Sequence, residues 1–169
     1  DFYDEYPRDV KVFAGEYAAH PVSGLNHPGA NMLSGALAEA AFLTGIEKNA
    51  DVVILASYAP LFARIGFAQW APNMIWFDET DTYPTASYYV QKMYGENMGT
   101  ALVPMNGQEK ELRKEQVYVS LSFDEKTGES VIKAVNASKE AKTLELVDEN
   151  DRPVRGTAIL KTLEREPAG

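Results

Sequence analysis

The chain has 169 residues, 45% of them hydrophobic and 24% charged, which is enough apolar mass for a packed core and rules out wholesale disorder. Its 16 basic and 25 acidic side chains leave a net charge of −9, which argues against a nucleic-acid surface; no apolar run nears the roughly 20 residues of a membrane-spanning helix. Without cysteine there is no disulfide, no thiolate nucleophile and no cysteine-ligated zinc, and a neutral or cationic ligand suits the charge better than an anionic one.

The opening Asp1-Phe2-Tyr3-Asp4-Glu5-Tyr6-Pro7 has neither an initiator methionine nor a basic-then-apolar leader. It reads as a chain entered mid-gene, and leaves the compartment open among cytoplasm, periplasm and exterior. Residues 11–17 form a short run rich in strand-favouring side chains. A loop marked by Pro21, Gly24, Pro28 and Gly29 follows, and Asn31 stands where an N-cap would precede a helix over 32–48. Leu33, Leu37, Ala40 and Thr44 share one face of that helix, and Gly35, Ala36, Ala38 and Ala41 suit close packing on a sheet. The uniformly apolar run 52–56 predicts a strand buried on both faces.

Residues 61–67 are expected to form a short helix, 70–73 a turn and 74–77 an extended piece. A helix is predicted over 86–96, with Tyr89, Val90, Met93 and Tyr94 as its apolar stripe. This alternation of strand and helix is the pattern of a parallel α/β sheet. From about Gly99 the pattern changes to closely spaced strands at 100–104, 117–123, 130–136, 142–147 and 154–160, with a hairpin loop over 124–129. Such spacing without helices predicts an antiparallel sandwich. The charge divides at the same place: residues 1–97 hold 5 basic and 12 acidic side chains, residues 98–169 hold 11 and 13. Two strand–helix units do not make a stable parallel sheet alone. The first half therefore belongs to a larger sheet or barrel, or associates with another chain, a second copy included.

Glu16 ends its apolar strand, and catalytic groups of parallel barrels stand at the carboxyl ends of strands. Gly15 beside it would admit a close backbone approach, although a strand-end glutamate that simply reaches water reads equally well from local sequence. His20 and His27, seven residues apart in a loop, lack the further ligands of a metal site. Asp78, Glu79 and Asp81 crowd one loop but do not match the spacing of a calcium loop, so no metal or cofactor is expected. Trp70, Trp76, Tyr88, Tyr89, Gln91 and Tyr94 supply flat faces and an amide that suit sugar rings, or an ordinary core. Asn136-Ala137-Ser138 fits an N-glycosylation acceptor, relevant only in a eukaryotic secretory route.

Several short strings in one order carry a family resemblance. They are Lys11-Val12-Phe13-Ala14-Gly15-Glu16-Tyr17-Ala18, Ala36-Leu37-Ala38-Glu39-Ala40-Ala41-Phe42, and Asp51-Val52-Val53. Ala56-Ser57-Tyr58-Ala59-Pro60-Leu61-Phe62, Trp70-Ala71-Pro72-Asn73, Ile75-Trp76-Phe77-Asp78 and Ser87-Tyr88-Tyr89-Val90-Gln91-Lys92 continue them. Over residues 10–105, and more loosely beyond through Val135-Asn136-Ala137-Ser138, the chain resembles the α-L-arabinofuranosidases of glycoside hydrolase family fifty-one.

The resemblance implies the last two strand–helix units of a (β/α)₈ TIM barrel over residues 1–97 and an incomplete antiparallel β-sandwich over 98–169. It implies that Glu16 is the nucleophile of a retaining mechanism, with Tyr17 and Gln91 orienting it or binding the sugar hydroxyls. The implied substrates are arabinose-containing oligo- and polysaccharides. The family's Asn-Glu acid/base pair finds no Asn-Glu step in these 169 residues, so this chain alone is expected to be inactive. The loop over 78–86 also departs from the family's usual Asp-Asn and Gly-Thr-Pro pattern. A rival reading makes residues 98–169 a non-catalytic carbohydrate-binding or assembly module, with Tyr118 and Phe123 as its few spare aromatics.

Overall fold

Strand β1 (Val12–Tyr17) is followed by helix α1 (Leu33–Lys48) and strand β2 (Val53–Tyr58), and β1 and β2 pair in parallel. The structure is a computed structural model that describes residues 2–21 and 30–164. Strand β3 (Phe62–Arg64) runs parallel to β4 (Ile75–Phe77), which pairs antiparallel with β5 (Thr82–Pro84). Helix α2 (Ala86–Glu96) comes next. Strand β6 (Ala101–Leu102), helix α3 (Glu109–Lys114) and strands β7 (Val117–Asp124) and β8 (Glu129–Asn136) complete the order, with β6, β7 and β8 in one antiparallel sheet.

Helix α1 is the centre of the molecule. Its small residues Ala36 and Ala40 are buried with Leu43, and Val90 of α2 and Val135 of β8 close the same cluster, against which Tyr17, Tyr94, Tyr118 and Leu163 also pack. Gly35, Gly45 and Thr44 are buried on α1 as well, whereas Ala38 is exposed. A smooth, small-residue helix lets a second helix and a sheet approach it at once. Polar contacts fasten the same junction. Ser120 Oγ of β7 donates to Glu47 Oε2 at 2.6 Å, the Lys133 ammonium of β8 pairs with Glu47 and lies 4.6 Å from the Tyr94 ring centre, and Tyr94 OH donates to Ala40 O at 2.8 Å.

The structure corrects several expectations. Residues 61–67 are not helical: β3 lies there, alternately exposed and buried as a strand demands, and Gly66 turns the chain with φ +81°. Asn31 is not an N-cap. Met32 occupies that position, and the Asn31 side chain instead donates to Asn73 O at 2.8 Å and accepts from Trp76 Nε1 at 2.8 Å. Ile54 and Leu55 of β2 are 62% and 56% exposed, not buried on both faces, because β1 is the only strand beside them among the described residues. Tyr89 is exposed and falls outside the stripe made by Val90, Met93 and Tyr94.

Residues 142–147 and 154–160 are not strands. Apart from a single bridge, Val147 to Pro153, they pair with nothing among the described residues, and Leu144, Leu146, Ile159 and Leu160 are exposed. Strand propensity needs a neighbouring backbone to satisfy its N–H and C=O groups, and among the described residues only the short contact in which Val154 N–H donates to Leu146 O is in place. The sheet β6–β7–β8 supplies one layer of the kind a sandwich uses, packed on α1. Helix α3 has no buried residue and only one apolar side chain, Leu112, which is why apolar periodicity does not announce it.

The hairpin loop forms as expected, with Gly128 at φ +77° before β8. Gly99 has a different necessity. A Cβ there would lie 2.6 Å from both Cβ and Oγ of Ser122 and 2.8 Å from the Phe123 amide nitrogen. Ser122 is itself buried, so it has little room to yield. Gly99→Ala is therefore expected to lower the unfolding free energy by about 1–3 kcal/mol, read as a shift of the urea midpoint without a change in slope.

Candidate functional site

The carboxyl ends of β1 and β2 meet at Tyr17 and Tyr58, which are register partners. The Tyr17 ring lies 5.1 Å from Phe42 of α1 and 5.7 Å from Tyr58, centre to centre, and its hydroxyl donates to Gln91 Oε1 of α2 at 2.8 Å. The last residue of β1 is thus tied to both helices. Burial pushes the Tyr17 phenol up to about 12 and the Tyr58 phenol up as well. Both are neutral hydrogen-bonding groups at ordinary pH.

Glu16, one residue earlier, is exposed, and among the described residues none hydrogen-bonds to its carboxylate. A Cβ at Gly15 would touch only the Phe13 ring, at 3.7 Å. The close approach expected at Gly15 is therefore not made by the described residues. The structure brings Tyr17 and Gln91 together and leaves Glu16 facing solvent beside them.

Glu39 of α1 was not singled out by sequence reasoning. Its only signal is a carboxylate within the small apolar run Ala38 to Phe42. It is 2% exposed, and its Oε1 accepts the Ala19 backbone N–H at 3.0 Å. Burial raises its pKa, while the nearby Ser87 and Tyr58 hydroxyls, the Ala19 N–H and His20 act the other way. Even so, Glu39 Oε2, the Tyr58 hydroxyl and Gln91 Nε2 are buried without a well-directed hydrogen bond. His20 is exposed; His27 lies outside the described residues.

The other candidates have local employment. Asp78 accepts from the Thr80 and Asp81 amides at 2.8 and 2.9 Å and from the Thr80 and Tyr83 hydroxyls at 2.9 Å, which holds its carboxyl well below the usual carboxylate range. Those bonds shape the turn into β5. No three His, Asp or Glu side chains cluster as metal ligands among the described residues. Trp76 is held by Asn31, and Trp70 is exposed. Tyr118 packs into the α1 core, so it does not serve as an open sugar platform. Asn136 folds its side chain back, accepting from Ser138 and donating to Glu140 O. No helix among the described residues is long and apolar enough to cross a membrane.

A family model described as the α-L-arabinofuranosidase C-terminal domain matches residues 15–162. An extracellular exo-α-L-arabinofuranosidase of Streptomyces chartreusis is 46% identical over 105 residues, which is 62% of this chain and 12% of that protein. α-L-Arabinofuranosidase 2 of Arabidopsis thaliana is 42% identical over 60% of this chain and 14% of its own length. The chain thus spans about an eighth of the curated relatives it matches. Among solved structures, an arabinose-bound α-L-arabinofuranosidase of glycoside hydrolase family 51 aligns with a TM-score of 0.68 at 29% identity, covering 83% of this chain and 23% of its own. Glu16 and the second half of β1 lie within the matched span, and the chain belongs to the family 51 α-L-arabinofuranosidases, whose C-terminal portion it matches.

Proposed function

We propose that this chain is part of a retaining, exo-acting α-L-arabinofuranosidase that releases terminal non-reducing α-L-arabinofuranosyl residues from arabinan, arabinoxylan or their oligosaccharides. The observation that carries the reading is the position of Glu16: an exposed carboxylate at the carboxyl end of a strand in a parallel β–α–β unit. Such strand ends are where barrel enzymes keep their chemistry. In this reading β1 and β2 are the last two barrel strands, residues 1–97 belong to the barrel, and residues 98–169 belong to the sandwich. The exposed Phe13, Ile54 and Leu55 support it, since further strands would cover them.

Chemically, the Glu16 carboxylate attacks the anomeric carbon as the bond from that carbon to the leaving oxygen breaks. A second carboxyl, about 5–5.5 Å away, gives its proton to the leaving oxygen. It then takes a proton from water, whose oxygen attacks the same carbon, breaks the ester bond and regenerates Glu16 with net retention. This proton donor lies on polypeptide outside the 169 residues. Tyr17 and Gln91, hydrogen-bonded to each other at 2.8 Å, orient the end of β1 or bind the sugar hydroxyls.

The direct test is covalent. A mechanism-based furanosyl inactivator applied to the full-length enzyme is expected to leave one sugar esterified to Glu16, located by peptide mass spectrometry. A label on any other residue removes Glu16 from the mechanism.

A further inference from the structure

Glu39 poses a chemical problem at the strand ends. An ionised carboxylate taken out of water is costly unless a cation or several donors meet it. Here one backbone N–H meets Oε1, at 3.0 Å from Ala19, and among the described residues no lysine or arginine pairs with it. The groups facing it are Tyr58 from β2, Ser87 from α2, and His20 and Ala19 from the segment after β1; Tyr17 and its partner Gln91 lie in the same cluster. Of these, His20 alone is able to carry a positive charge, and it is exposed.

Oε2 and the Tyr58 hydroxyl are both buried and unpartnered. The neutral Tyr58 hydroxyl has one O–H and two lone pairs, so it can pair with either form of the carboxyl, whereas only the carboxylic acid does so without leaving a charge in the interior unmatched by a cation. Protonation thus removes the buried charge and still leaves the Tyr58 hydroxyl a partner.

Resting on the reading of Glu16 as nucleophile, we propose that Glu39 is a positioning residue acting as a neutral carboxylic acid. Through the Ala19 amide it holds the backbone three residues beyond Glu16, and through its own proton it reaches Tyr58 at the end of β2. The ends of β1 and β2 are thereby fixed against α1 and α2, and with them the place where the Glu16 carboxylate stands. Burial, which favours the protonated form of Glu39, is in accord with this role.

The test uses Glu39→Gln and Glu39→Leu in the full-length enzyme, reading the rate of Glu16 labelling by the furanosyl inactivator, kcat and KM separately, and Tm. Glutamine keeps an acceptor for Ala19 and a donor for Tyr58, so its labelling rate and kcat should change by about threefold at most. Leucine keeps neither, and both rates should fall roughly 100-fold with KM little moved, because Glu39 touches no sugar. A glutamine variant as impaired as leucine would mean the charge is needed and would overturn the proposal. So would a leucine variant with lowered Tm and an unaltered labelling rate. If the leucine variant does not fold, Tyr58→Phe decides: it deletes only the hydroxyl that Glu39 addresses, and an unchanged labelling rate would again overturn the proposal. Failure to label Glu16 in the unmodified enzyme is a separate result, which sinks the nucleophile assignment and the role built on it.

Discussion

Glu16→Ala in the full-length enzyme is expected to lower kcat/KM on an aryl arabinofuranoside by about 10⁴–10⁶-fold, with the protein still folded. The size follows from the role proposed for the side chain. A nucleophile that forms the covalent intermediate has no substitute within reach, and its loss removes one whole step of the two-step route. Folding should survive, because Glu16 is exposed and among the described residues no hydrogen bond is lost with it. The alanine also leaves room for a small external anion. Added azide is expected to restore part of the rate and to give a glycosyl azide of inverted configuration, since it attacks from the face that Glu16 vacates. An unchanged rate without azide would exclude Glu16 from the chemistry.

The second large effect concerns the 169-residue chain by itself. Assayed beside the full-length enzyme on the same aryl substrate, it should turn over at least roughly 1,000-fold more slowly, which is within the range a positioned general acid contributes. On the proposed reading the chain carries Glu16 without the second carboxyl, and neither leaving-group protonation nor water activation proceeds well without it. Its exposed Phe13, Ile54 and Leu55 also leave the strand ends less firmly held than further strands would hold them. Turnover comparable to the full-length enzyme would show that the proton donor is among these residues after all.

Much of the backbone was legible beforehand because its signals are local. Helix α2 runs from Ala86 to Glu96 as its apolar positions suggest, and β7 and β8 follow period-two alternation around a glycine-marked loop. The run at 61–67 was misread because a short apolar stretch suits either a helix or a strand until its partner is known. Here the partner is β4, so Phe62–Arg64 is a strand. Residues 142–147 and 154–160 failed in the opposite sense, having strand-like composition and no adjacent strand among the described residues. Glu39 was passed over because its importance arises from burial, and burial depends on elements distant along the chain.

What the amino-acid order determined by itself is the alternation of strands and helices, the strand-end position of Glu16 and the family to which the chain belongs. Each is written in contiguous residues: periodicity, turn chemistry, and short strings in a set order. Only the tertiary structure decided that α1 is the common core of helix and sheet layers, that Tyr17 is bonded to Gln91, and that Glu39 is buried against Ala19 beside Tyr58. Those are contacts between segments far apart in the chain: Tyr17 to Gln91 spans 74 residues and Glu47 to Lys133 spans 86. Their energetics come from desolvation and hydrogen-bond geometry, which no local pattern of residues encodes.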